Sequence, residues 1–164
     1  MVTTVHRNGV WGWNPVFLRL ALGVPLVVAG AGKLLNVGPK ATGVSGFAGF
    51  LASLGVPFPE LFAWIVTLVE LVGGLFLLAG LFVRYVAVLV AVDMAVATLL
   101  VHVPNGFAVS TGGFEYTLVL ALVALAVVFS GPGKLSLEYA VFDRELLPGG
   151  TRGEDAGAEG RIRG

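Results

Sequence analysis

The chain has 164 residues, of which 57% are hydrophobic and only 12% charged, and its ten basic and ten acidic side chains cancel to a net charge of zero. Its mean hydropathy of +0.93 lies far from an ordinary soluble domain, which is about 45–50% apolar and about 25% charged, so a lipid bilayer is the expected environment and a single domain the expected size. With no basic excess there is no surface for nucleic acid, and with no cysteine there are no disulfides, thiolate metal sites or thiol redox chemistry, so any electrons must be borrowed.

Residues 1–14 read as an N-terminal tail. Four stretches come after it that are apolar enough to cross a hydrocarbon core, which takes about 20 helical residues: 15–35, 60–81, 83–103 and 114–130. Arg19, Gly23, Pro25 and Lys33 interrupt the first, which is also too long for the apolar core of a cleavable leader, so it is expected to persist as a helix. Between the first two stretches, Val44, Phe47, Leu51 and Leu54 recur at helical spacing between Gly and Pro breaks, which predicts a short amphipathic helix at the membrane interface. The second connection, "LFVRY", leaves room only for a tight turn at Arg84, and the third, "VPNGFAVSTGG", is a turn-rich loop. A short amphipathic piece, "LSLEYAVFDRELL", leads to a Gly- and charge-rich end, so 143–164 is expected to be a disordered tail behind a membrane domain at 15–142. The fold expected is all-α: a four-helix transmembrane bundle with an interfacial segment between helices 1 and 2.

Orientation follows the basic residues. Arg7, Arg84, Lys134, Arg144, Arg152, Arg161 and Arg163 share one side, with Arg19 just inside it, and only Lys33 and Lys40 lie on the other. A multi-pass protein of the cell membrane with both termini cytoplasmic is the expectation. Glu70 and Asp93 each fall about ten residues into a span, near mid-depth, where an ionised group needs a partner or water and is a functional suspect. Arg19, Gly23, Leu26, Gly30 and Lys33 share one face of the first helix, and Thr67, Glu70, Gly73 and Gly74 one face of the second. Those faces predict an Arg19–Glu70 pair inside the bundle. Such a pair equally serves to hold helix register.

Lys33, His102 and Glu115 gather near the outer face, from three different helices. That convergence predicts a site in which Lys33 holds Glu115 and His102 exchanges protons beneath Phe47 and Phe50. Glu115 also reads simply as a carboxylate at a helix start.

Three segments together carry a family resemblance: "RLALGVPLVVAGAGKLL", "FAGFLASLGVPFPELFAWIVTLVELVGGLFLLAGLFVR" and "HVPNGFAVSTGGFEYTLVLALVALAVVFSGPGKLSLEY". In this order and spacing, over about residues 16 to 142, the chain resembles the DoxX family of small four-helix membrane proteins. The resemblance implies polar motif positions at Arg19, Lys33, Glu70, His102 and Glu115. It also implies an association with membrane redox and sulfur metabolism, since members include the membrane subunit of thiosulfate:quinone oxidoreductase. Glu138 stands where that pattern would have Asp, and Asp93 falls on no motif position.

The chain's two histidines, one of them in the N-terminal tail, do not supply bis-histidine haem ligation, and no Glu-x-x-His pattern marks a di-iron bundle, so no metal is expected. Nor is a covalently bound cofactor. A quinone from the bilayer is the remaining redox partner, with Glu70, Glu115 and His102 as the proton-handling, catalytic candidates and Arg19, Lys33, Asp93, Phe47 and Phe50 as binding residues. The expected function is a quinone-interacting subunit of a membrane oxidoreductase, working with a soluble redox subunit, with association between copies of the chain left open. The alternatives are a structural membrane anchor for a soluble redox enzyme and a small proton or solute transporter. The latter predicts an internal repeat that the two pairs of spans do not display.

Overall fold

The structure is a computed structural model that describes residues 13–133 and 135–142. Both expected tails therefore lie outside the described residues, apart from Trp13 and Asn14 at the start of the first helix. Among the described residues every regular element is helical. Three helices have the length and apolarity to cross a membrane: α1 (Asn14–Leu35), α3 (Pro59–Ala79) and α4 (Val83–Asn105). Between the first two lies α2 (Gly43–Ser53), after them comes α5 (Glu115–Ser130), apolar but only 16 residues long, and the last is α6 (Leu137–Phe142).

The core is built from Leu22 and Leu26 of α1, Leu77 of α3, Val83, Val86, Ala87, Val90 and Met94 of α4, and Leu120, Ala124 and Val127 of α5. Small residues set how closely the helices approach. A Cβ on Gly23 would come within 2.9 Å of Leu78 Cγ, one on Gly74 within 2.9 Å of the Val27 backbone nitrogen, and one on Gly30 within 2.8 Å of Leu71 Cα. These contacts fix the antiparallel register of α1 on α3, as expected of a small-residue seam between membrane helices.

Two helices contain a π turn, Val69–Gly73 in α3 and Thr98–His102 in α4. Each turn admits an extra residue and rotates the remainder of its helix. Where the turn in α3 ends, Gly74 packs on Val27 of α1 while Gly73 faces Val86 of α4, so the helix touches both neighbours there. Nothing in the apolar spacing announced either turn.

The tight connection between α3 and α4 is made by Gly80, Leu81 and Phe82, with Gly80 left-handed at φ +73°. Arg84 belongs to the first turn of α4 rather than to the connection itself. From this turn the two helices diverge. Residues 69–79 of α3 pack on α4, whereas Pro59–Leu68 packs on α2 and α1, and the Thr98–His102 turn of α4 leans on α5. The expected helix around Val44, Phe47 and Leu51 is α2, with those three residues half-buried and Ala48 fully so. It packs on α1 and α3, across the open end of the diverging pair.

Candidate functional site

The two intramembrane charges that the sequence brings together are not the two that meet. Glu70 pairs with Lys33, and their side chains keep only 8% and 12% of their exposure. Extending the register set by Gly30 on Leu71 places Ala31 opposite Glu70 and Phe82 opposite Arg19. Arg19 and Glu70 are thus separated by about 12 residues along the bundle, or about 18 Å, too far for any side-chain contact. The expected Arg19–Glu70 pair is corrected accordingly. Reading depth from each helix's own start assumes that the helices start level, and α1 is slid along α3.

Arg19 instead serves helix ends. It is 4% exposed; its Nε donates to Leu77 O at 2.9 Å, its Nη2 to Leu78 O at 3.4 Å, and its Nη1 to Pro132 O. A guanidinium at these C-terminal carbonyls satisfies acceptors that the helix leaves open and opposes the negative end of its dipole. At the same end Glu138, fully buried, accepts from the Val83 amide at 3.3 Å, at the start of α4, while its own amide donates to Gly80 O at 3.1 Å. Arg19 and Glu138 therefore tie the α3–α4 turn to the chain that follows α5. The sequence signal for Glu138 was its place on a family motif position.

At the opposite end the diverging helices enclose a cavity of about 480 Å³. Lys33 and Pro25 of α1, Phe47 and Phe50 of α2, Glu70 of α3, Asp93 and His102 of α4 and Thr117 of α5 all line it, among mostly apolar neighbours. The Lys33 Nζ lies 4.6 Å from the centre of the Phe47 ring, whose stacked neighbour Phe50 is 6.3 Å away, so α2 covers the ion pair with aromatic faces. Asp93 sits on the same wall. Its Oδ2 is buried with no hydrogen-bond partner among the described residues, a costly arrangement that a ligand or water would relieve.

His102 ends the π turn of α4 and places Nδ1 at 2.7 Å from Gly112 O. A carbonyl only accepts, so Nδ1 carries the proton and the neutral ring keeps its Nε2 lone pair available. Asn105 reaches the same carbonyl at 3.4 Å and Val101 O at 3.1 Å, holding the loop in place. Thr98 and Thr117 join α4 to α5 through their hydroxyls at 2.7 Å.

Glu115 is not part of this wall. Its carboxylate accepts from the Val109 amide at 3.1 Å, folding back on the loop that precedes α5. The expected Lys33–Glu115 contact is therefore also corrected: the helix-start carboxylate finds an open amide of its own loop, and Lys33 is already committed to Glu70. Of the residues read from the sequence, the cavity gathers Lys33, Glu70, Asp93, His102, Phe47 and Phe50, and leaves out Arg19 and Glu115. Among the described residues no three His, Asp or Glu side chains form a group that could hold a metal ion.

Membrane-length helices that bury an ion pair, and a carboxylate oxygen with no partner among the described residues, around a cavity define a multi-pass membrane protein with a polar site inside its apolar span. The chain belongs to the DoxX family, whose profile matches residues 15–103. That span includes Arg19, Lys33, Glu70, Asp93 and His102, while Glu115 and Glu138 lie beyond it. An uncharacterized protein of Haemophilus influenzae is 31% identical over 134 residues, covering 78% of this chain and 90% of its own. A Bacillus subtilis protein named "Putative oxidoreductase CatD" is 30% identical over 127 residues, covering 77% of this chain and 86% of its own. No solved structure matches the chain.

Proposed function

We propose that the protein is the quinone-binding membrane subunit of an oxidoreductase, anchored by four spans with α5 as the fourth and with both termini cytoplasmic. The observation that carries the reading is the cavity. Its volume of about 480 Å³ falls among small-molecule sites, which run to about 300–1,000 Å³ and combine an apolar lining with a few placed polar groups. The name of the Bacillus subtilis relative points the same way.

Asp93 and the Lys33–Glu70 pair lie on one side and would hold the ring, and His102 lies about 13 Å further along α4 at 1.5 Å per residue. Lys33 donates to a ring oxygen, and His102 Nε2, too far for a direct bond to a ring held there, exchanges the quinol proton through water in the cavity. Reducing a quinone to the quinol consumes two electrons and two protons. The electrons come from the redox centre of a soluble partner subunit, and the protons pass through His102 and the carboxyl groups of Asp93 and Glu70.

Purification of the full chain in mild detergent, followed by extraction and identification of the quinones, lipids and proteins that accompany it, tests the reading. Co-purified quinone that is lost in Asp93→Leu supports it. A stoichiometric soluble protein with no quinone would make the chain an anchor instead.

A further inference from the structure

Two facing stripes of the cavity grade from charge to apolar. On α4, Asp93, Ala97 and Leu100 are spaced i, i+4, i+7, and on α3, Glu70 and Val66 are four residues apart, so each stripe has a carboxyl group deep in the cavity and an aliphatic side chain nearer the α2 end. Because α3 and α4 pack together only on the side of their shared turn, the space between the stripes is a wedge. Its rim is Val66, Leu54, Val96 and Leu100, and the last two are 47% and 52% exposed on a helix long and apolar enough to span a membrane. That rim faces lipid.

The cavity's other rim lies at the connections: Lys40 and Thr42 between α1 and α2, Val109 and Gly112 between α4 and α5, and Tyr116 in the first turn of α5. Lys40 crosses it, with Nζ 6.0 Å from the centre of the Tyr116 ring, linking the α1–α2 connection to α5. A water-soluble ligand would need this crossed opening, whereas a ligand from the bilayer finds an apolar one.

Resting on the quinone reading above, we propose that the substrate is a long-tailed quinone of the bilayer, which enters sideways through the α3–α4 wedge and leaves its tail there, between Val66 and Leu100, with its ring against Asp93 and the Lys33–Glu70 pair. The wedge sets the substrate class. A ring without a tail fills only the inner part of the cavity and gives up the apolar contact of the rim.

Binding of decylubiquinone and of its tail-less counterpart, dimethoxymethylbenzoquinone, to the full chain in lipid nanodiscs tests this. The variants are Leu100→Trp, which plugs the rim, and Val119→Trp, the same change on a lipid-facing position of α5 that is 52% exposed. The expected result is a dissociation constant for decylubiquinone raised about tenfold by Leu100→Trp alone, with the tail-less ring unaffected. Equal weakening of both ligands, or none of either, overturns the lateral route while leaving quinone binding in place. Failure of the unaltered protein to bind either one overturns the quinone reading and this inference with it.

Discussion

Breaking the Lys33–Glu70 pair from one side should destabilise the protein more than removing both charges. With side-chain exposures of 12% and 8%, both ions have left water, so deleting one strands the other in an apolar wall. One-sided deletions of this kind cost about 3–5 kcal/mol, and replacing both partners by apolar groups is often neutral. Polar contacts between membrane helices are weaker on average, about 0.6 kcal/mol and about 1.7 at most. A cavity roomy enough for water moves Glu70 toward the smaller values, while a formal ion pair moves it toward the larger. About 3 kcal/mol is the expected loss for Glu70→Leu alone, against about 1 kcal/mol or less for Lys33→Met combined with Glu70→Leu. Reversible unfolding of the detergent-solubilised protein by SDS, read by circular dichroism as a double-mutant cycle, measures both. Losses that add within about 0.5 kcal/mol would mean that the two side chains do not interact. The same cycle on Arg19 and Glu70 is the control, expected to be additive because about 18 Å of helix separates them.

Single positions give three further outcomes. Gly30→Val forces α1 off Leu71 and should lower stability by about 1–3 kcal/mol in the same titration. Gly80→Ala puts a Cβ at a left-handed residue and 2.7 Å from Arg19 Nη1, so a loss of at least about 1 kcal/mol is expected; an unchanged midpoint would remove the turn from the Arg19 network. Asp93→Leu deletes a buried oxygen with no partner among the described residues and should raise stability by about 1 kcal/mol while weakening decylubiquinone binding in nanodiscs about tenfold or more. A stability gain without that loss would separate Asp93 from the ligand.

Much of this arrangement was legible in the chain. The apolar runs located the helices, because a backbone in lipid must satisfy its own hydrogen bonds, and charges inside those runs singled out Glu70, Asp93 and Lys33 as residues to explain. The Gly23 and Gly30 face was readable from spacing and is the face that packs. Pairing was not readable, because it depends on how far one helix is slid along another. That slide is set by close contacts such as Gly30 on Leu71, whose partner a single sequence does not name. Glu115 went astray for a different reason: a loop amide at Val109 competes for its carboxylate, and loop geometry leaves no periodic trace. The π turns that help to position Glu70 and His102 carry no compositional mark at all.

Arg19 has a consequence for how the protein is made. Its acceptors at Leu77 and Pro132 lie 58 and 113 residues further along the chain, so the first helix reaches the membrane with a guanidinium whose partners do not yet exist. At about 5–20 residues per second of synthesis, the last of them appears about 6–23 s later. During that interval the long side chain reaches toward water at the membrane surface, with its stem along the apolar helix. Withdrawal of Arg19 into the bundle is therefore a late event of biogenesis. A ribosome stalled before Pro132 should hold a nascent protein whose first helix is inserted but not yet locked, open to capture by an insertase or a protease that the finished bundle would turn away.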